Sequence, residues 1–291
     1  MAANREGLLE SVQLNKVGGN AIQSWKDSVD SHHHQDGSLA NWHQGIVSIE
    51  VQGLAYDALV DGIKILELSD THTSKTGKRR FKDEILLLKG LSVSLKEYVL
   101  DTYWVEDKQG GYFALGSDRD LEGHPRLLNV RTSNMGHLLA SQLLDGEDKS
   151  TKEKIRKTVQ TLLSPLLSSP HGIRTLANCE KRYRPNNYHN GSIWPWDSYQ
   201  VSLGLLHRGY REEAYEIWDK ILRIPQETGQ FPEFISGNDT GQPVLPNRII
   251  SVFDSEYKIE RNIEQPPQQI QAWTVAAVAA IEYQKSAAAS A

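Results

Sequence analysis

The chain has little sulfur: its 291 residues include one cysteine, Cys179, and two methionines. A lone cysteine closes no internal disulfide and cannot build a zinc site from cysteine pairs, so the chain reads as one suited to a reducing compartment, with Cys179 a structural thiol. Long apolar runs are missing too. The longest, residues 85–88 and 275–281, fall far short of the ~20 residues that span a bilayer. The first residues carry Arg5, Glu6, Glu10 and Lys16 with no apolar core between them, so no signal peptide is expected and a cytoplasmic location is. Nor is there an excess of positive charge: 32 Lys and Arg stand against 37 Asp and Glu, for a net charge of −5. Nucleic-acid binding, which calls for a basic face, is not expected. The short run Lys78-Arg79-Arg80 reads as a solvated helix entrance. What remains is ordinary globular material, 38% hydrophobic and 24% charged, which excludes disordered, collagen-like and coiled-coil classes. The length suits one or two domains of roughly 150 residues. We read it as a single helical domain over residues 1–291.

No internal repeat is evident, but helical patterns recur. Over residues 46–68, Val51, Leu54, Ala55, Ala58, Leu59, Ile63 and Leu66 fall three or four apart and predict one buried face. Residues 80–103 repeat the pattern with Phe81, Ile85, Leu88, Leu91, Leu95, Tyr98 and Val99. The polar residues 69–78 between them read as a connector. Further helices are predicted over 136–144, 151–164, 198–207, 211–223 and 268–283, the last after a loop at 264–269. Gly209 is placed to end one helix before Glu212 and Glu213 open the next. Strand signals are few, with residues 111–115 the clearest. Three connectors, 110–130, 168–193 and 226–268, exceed the ~12–15 residues expected of a loop without a task. They are rich in Trp, Tyr, Phe, His and Asn, unlike solvated linkers. An all-α toroid-type fold, with helical hairpins carrying long loops on one binding face, accounts for both features.

Four clusters could carry chemistry: Trp25-Lys26-Asp27-Ser28, Glu50-Val51-Gln52-Gly53, residues 188–197 (YHNGSIWPWD) and Phe231-Pro232-Glu233-Phe234. Aromatic rings beside short or planar polar groups suit a sugar. Ring faces cover the apolar C–H surface of a pyranose, while Asp, Glu, Asn, Gln and His bond its hydroxyls. Cleaving a glycoside needs two carboxyl groups, one protonated to donate to the leaving oxygen and one ionised to activate water or attack carbon. Asp27 beside Trp25, and Glu233 between two phenylalanines, are the candidate pair, with desolvation by these neighbours expected to favour the protonated acid.

Residues 25–30 (WKDSVD), 50–53 (EVQG), 133–139 (SNMGHLL), 172–176 (GIRTL), 188–197 (YHNGSIWPWD), 231–234 (FPEF) and 271–275 (QAWTV) occur in this order. Together they resemble the catalytic part of the bacterial-type amylo-α-1,6-glucosidase (glycogen debranching) family, from about residue 8 to residue 283. That family belongs to the (α/α)6-barrel glycoside hydrolases, which also include mannosylglycerate hydrolases and trehalases. The resemblance implies a general acid at Asp27 and a general base at Glu233, although the loop reads FPEF where the family has an LPELF-like motif. It implies inversion, with carboxyls roughly 6.5–9.5 Å apart. Trp25, Lys26, His189, Asn190, Trp194, Trp196 and Trp273 would line the sugar subsite, with Glu50 and Gln52 near its mouth. No cofactor or metal is implied, because carboxyls perform both proton transfers. The substrate class implied is α-linked glucose, as at the α-1,6 branches of glycogen or limit dextrin.

About seven of the twelve helices such a barrel holds can be counted, and Asp27 stands near the start. The expectation is therefore an incomplete toroid, the C-terminal portion of a larger barrel, whose missing part comes from further chain or from a partner. Such a toroid exposes apolar flanks. Rival readings are hydrolysis of a small glycoside such as mannosylglycerate or glucosylglycerate, and a non-catalytic carbohydrate-binding fragment. A toroidal sugar epimerase with histidine bases fits the acidic pair less well. His32, His33 and His34 are adjacent, unlike the spaced pairs that converge on a metal, and read as loop residues near the cleft. His137 reads as orienting a helix start.

Overall fold

In the computed structural model the described residues are 2–3, 6–12, 22–73, 80–146, 148–246, 249–254, 259–263 and 266–289. They hold seven α-helices: α1 Ile49–Thr73, α2 Lys82–Thr102, α3 Asn134–Ala140, α4 Lys149–Leu163, α5 Pro195–His207, α6 Arg211–Thr228 and α7 Ala272–Ala289. Helices α1, α3, α5 and α7 touch one another in that order. Behind them α2 backs onto α1, α4 onto α3, and α6 onto α5. The result is an arc of two helical layers, the incomplete toroid expected from the sequence. No described helix is long and apolar enough to cross a membrane.

Helix ends differ from the sequence reading for local reasons. The first helix runs on to Thr73, through much of the expected connector. The stretch expected as one helix over 136–144 breaks at Ser141, which is extended and accepts a hydrogen bond from the amide of Leu143 to start a separate 3₁₀ turn. Helix α4 starts earlier than the expected 151 because Asp148 caps it, accepting from the Thr151 amide at 2.8 Å; a cap whose oxygen reaches the third helical amide satisfies an otherwise orphaned donor. Pro195 opens α5 at its first position, where its missing N–H costs nothing. The first-layer faces are also narrower than the periodicity suggested. On α1, Val51 and Ile63 are buried, but Leu54 is 68% exposed. The outer flank of the α1–α2 hairpin carries Ile65, Leu68, Leu86, Leu87 and Val93 exposed, as expected of an incomplete ring.

The main core gathers Leu95, Val99, Tyr103, Tyr112, Phe113, Met135, Leu138, Val201, Ile217 and Trp218 between the two layers. Helices α3 and α5 approach unusually closely. A Cβ at Gly136 would stand 2.6 Å from Val201, and one at Gly204 would stand 2.5 Å from the Gly136 carbonyl. Only the absence of a side chain permits that approach.

Short strands fill the long connectors. Residues 111–115 were expected as a strand, and Gly110–Phe113 indeed pairs antiparallel with Trp104–Asp107. Gly116–Arg119 joins Val47–Ser48 on one side and Pro125–Leu128 on the other. Residues 226–268, expected to be irregular, contain the hairpin Ile249–Asp254 with Ile259–Ile263. Lys78, Arg79, Glu264 and Gln265, noted above in the basic run and the pre-helical loop, lie outside the described residues.

Candidate active site

The first turns of α1, α3, α5 and α7 carry Glu50, Asn134 and His137, Trp196 and Asp197, and Trp273, so the site sits at one end of the inner layer. Three loops cross that end. Isolated bridges join Arg174 to Ile193 and Ile193 to Ile235, tying the motifs at 172–176, 188–197 and 231–234 into one frame. A Cβ at Gly237 would stand 1.7 Å from the Gly191 carbonyl; glycine there lets two of the loops touch.

Glu233 is nearly buried, 9% exposed. Its Oε1 accepts from the Tyr188 hydroxyl at 2.6 Å, and its Oε2 accepts from the Gln268 amide at 3.2 Å. Burial, foremost, then the Glu233 hydrogen bond and the negative charges of Glu233 and Asp27 push the Tyr188 phenol well above the usual tyrosine range. Glu233 binds this hydroxyl directly, and the charge of Asp27 reaches it from further off. Asp27 itself is exposed. The cover expected from Trp25 is not there, because successive residues of this extended loop face different ways: Trp25 lines a cleft, Lys26 is buried and Asp27 meets solvent.

The aromatic residues form a continuous wall. Trp194 is 3% exposed and stacks on Phe234 at 5.6 Å and on His189 at 5.3 Å, while Tyr188 meets it edge-on at 5.0 Å. Trp196 packs on Trp273 at 4.9 Å and on Trp25 at 5.6 Å. Trp25 stacks on His137 at 5.8 Å. Trp273 is 44% exposed.

Several of the remaining candidates have their polar groups engaged by the protein. The Lys26 ammonium donates to the Thr175 carbonyl at 2.5 Å and is wholly buried, which lowers its pKa to about 8 against the opposing pull of Asp197 and Glu50. The Gln52 amide exchanges hydrogen bonds with the Leu9 backbone at 2.9 and 2.8 Å. Asn190 donates to the Asp30 carbonyl at 2.8 Å. His189 Nδ1 pairs with Ser28 Oγ at 2.8 Å, and burial lowers its pKa well below the ordinary value. His32 and His33 are buried supports rather than cleft residues: His32 bonds Ser31 and Ser48 at 2.9 and 2.8 Å. His34 pairs with Asp118. Glu50 differs from these, being buried with neither carboxyl oxygen hydrogen-bonded.

Two residues absent from the sequence-based site set stand in it. Tyr188 holds the candidate base. His137, 2.7 Å from Asp197 Oδ1, braces Trp25 and Trp196. Their presence in the SNMGHLL and YHNGSIWPWD motifs was the available signal.

Residues 90–243, more than half of the chain, match the mannosylglycerate hydrolase MGH1-like glycoside hydrolase domain. The chain belongs to that family. No curated protein matches this glycoside hydrolase domain in sequence. Among solved structures it is similar to the GH63 mannosylglycerate hydrolase from Thermus thermophilus in complex with Tris, at a TM-score of 0.53 and 12% identity over 82% of this chain and 46% of that one. The same Thermus enzyme in complex with glucose matches at 0.53 and 13% identity, over 82% and 45%. A sialidase matches at 0.56 and 14% identity, over 80% of this chain and 19% of the other. At such identities the likeness is one of fold. The glycoside hydrolase domain spans less than half the length of the Thermus enzyme. The matched family is one of glycoside hydrolases, the wider group expected from the motifs, and does not single out the amylo-α-1,6-glucosidases.

Proposed function

We propose that the domain hydrolyses an α-linked glucoside of the debranching type with inversion, Asp27 acting as general acid and Glu233 as general base. The observation that carries this reading is the nearly buried Glu233 carboxyl, held by Tyr188 and the Gln268 amide beside the ring wall of Trp194, Trp196 and Trp273. In this mechanism Glu233 takes a proton from water as that water attacks the anomeric carbon. Asp27 protonates the departing oxygen at the same time. Asp27 is open to exchange with solvent and can be reprotonated after each turnover. Glu233 is held by Tyr188 and Gln268 in one orientation, as a base that must aim a water requires. Trp194, Trp196 and Trp273 offer ring surfaces for the apolar face of the glucose.

A second reading, hydrolysis of a small glycoside such as mannosylglycerate, is favoured by the family description and by the Thermus neighbours. One of those neighbours holds glucose, which suits either reading. Limit dextrin and mannosylglycerate, supplied separately to the purified chain, distinguish them. The first reading expects free glucose from limit dextrin, reduced about 10²–10⁴-fold in Asp27→Asn and in Glu233→Gln. Proton NMR of the fresh product should show the β anomer first. Release of the α anomer first, or full activity in either variant, would refute the assignment.

A further inference from the structure

A cleft of about 550 Å³ opens along the inner face of α1, between it, α3 and α5. Its floor is apolar, with Val51, Leu54, Ala55 and Ala58 from α1 and Ala140 from α3. Trp25 and Trp196 wall the end that adjoins the catalytic loops. Glu50 is set into that wall. It is 5% exposed, and both carboxyl oxygens are buried without a hydrogen-bond partner; the Trp25 indole Nε1 is unpartnered as well. Buried polar atoms are nearly always paired; Asn134 stands against the Glu50 carboxyl, and the hydrogen-bonding capacity left over there, with the Trp25 N–H, points to a ligand in the cleft.

The other ionisable side chains of the cleft are already committed. Asp57 accepts from Ser141 Oγ at 2.9 Å and from the Gln142 amide at 2.8 Å. His137 is bonded to Asp197. Among the described residues no lysine or arginine lines the cleft; Lys26 lies behind it on the Thr175 carbonyl. We infer that this cleft binds a neutral polyhydroxylated group, the leaving-group side of the glycoside, through Glu50 and the Trp25 indole, and that it rejects an anionic leaving group such as glycerate. The term leaving group rests on the function proposed above; the binding chemistry does not.

Charge supports the selection. Burial raises the Glu50 pKa against the opposing influence of Asn134, His137 and Lys26. The Asn134 amide is the strongest of these opposing neighbours, and Asp197 acts on Lys26 from α5. A carboxyl group accepts from a sugar hydroxyl and, when it carries a proton, donates to one as well. The indole N–H supplies a further donor, and the apolar floor takes the C–H face of the ring. A carboxylate would instead meet the acidic side chains of Glu50 and Asp57 and, among the described lining residues, no lysine or arginine, an arrangement that selects by repulsion as well as attraction.

The test uses the full chain carrying Asp27→Asn, so that substrate survives, with tryptophan fluorescence as the readout because Trp25 and Trp196 wall the cleft. Isomaltose should shift the emission saturably below about 50 mM, and D-glycerate at the same concentration should neither shift it nor compete. Added Glu50→Gln should bind isomaltose within about twofold, whereas Glu50→Ala should bind it about three- to tenfold more weakly. Ala58→Trp, which fills the cleft from a helix position and leaves Glu50 in place, should abolish the signal. Competition by glycerate, unchanged binding in Glu50→Ala or Ala58→Trp, or no saturable shift with isomaltose each overturns the inference. Turnover by the unsubstituted chain is scored separately, so loss of the catalytic assignment and loss of the cleft assignment give different patterns.

Discussion

His32 should make the fold acid-sensitive by an amount that can be worked from its surroundings. The ring is fully buried, with Ser31 Oγ on Nδ1 and Ser48 Oγ on Nε2. Burial, then the nearby Lys26 and His33 charges, lower its pKa from 6.5 to about 3. Between those two values the unfolded chain binds a proton that the folded chain does not, so stability contributed by the neutral ring is present above pH 6.5 and is lost as pH falls towards 3. From pH 7 to pH 5 the loss from this one residue is about 2 kcal/mol, and by pH 4 about 3 kcal/mol. His33, lowered to about 4 chiefly by burial, adds a similar amount at pH 5. Asp30 and Glu50 act the other way, because burial raises their carboxyl pKa values and acidification then favours the folded state. A comparison with His32→Gln removes these shared terms. Glutamine reaches Ser48 and does not titrate. Urea denaturation of both proteins at pH 7 and pH 5 should therefore show the parent losing about 2 kcal/mol more than the variant. Parallel losses in the two proteins would refute the account of a buried, neutral His32.

Two other substitutions probe the frame of the catalytic end. Tyr188→Phe removes the hydroxyl on Glu233 Oε1 and leaves the ring against Trp194. If a hydrogen bond of this kind, about 1.5–3 kcal/mol, is made in full at the transition state, kcat should fall roughly 10- to 150-fold; an unchanged kcat would remove Tyr188 from the site. Arg174 is fully buried and donates to the carbonyls of Gly237 (2.6 Å), Pro165 and Ser168 (both 3.1 Å), with Asp239 as its ion partner. Arg174→Met leaves those carbonyls unpaired and should cost about 2–4 kcal/mol in denaturant unfolding, and a loss under about 1 kcal/mol would show that the loops do not depend on it.

What the sequence made legible was local or periodic. The long helices announced themselves because apolar residues at helical spacing need only their own neighbours. The break at Ser141 did not, because its bonds to Asp57 and to the Gly53 carbonyl depend on α1 lying alongside. The hairpin Ile249–Asp254 with Ile259–Ile263 hid in what read as a loop, because its strands lack a clean alternation. At the site, the motifs located the residues but not their partners. Lys26, Gln52 and Asn190 look in sequence like groups free to meet a ligand. Their hydrogen bonds instead run to Thr175, Leu9 and Asp30, contacts between distant segments. Tyr188 was equally opaque: a phenol ahead of HNG reads as another wall residue until the fold brings Glu233 to its hydroxyl.

Those distant contacts explain how the exposed Asp27, the proposed acid, can keep its place. The residues around Asp27 are tied inward: Lys26 to Thr175, Ser28 to His189, Asp30 to Asn187 and Asn190, Ser31 to the Lys26 and Ser28 carbonyls, His32 to Ser48 at the start of α1. The buried polar atoms of this loop fix its backbone, and Asp27 faces outward from that fixed frame. Glu233 is arranged differently, with the carboxyl itself clamped between Tyr188 and Gln268. That difference suits the two tasks proposed for them. A group that exchanges its proton with solvent on every cycle gains from access and needs only a rigid attachment. A group that must aim one water gains from having its oxygens held.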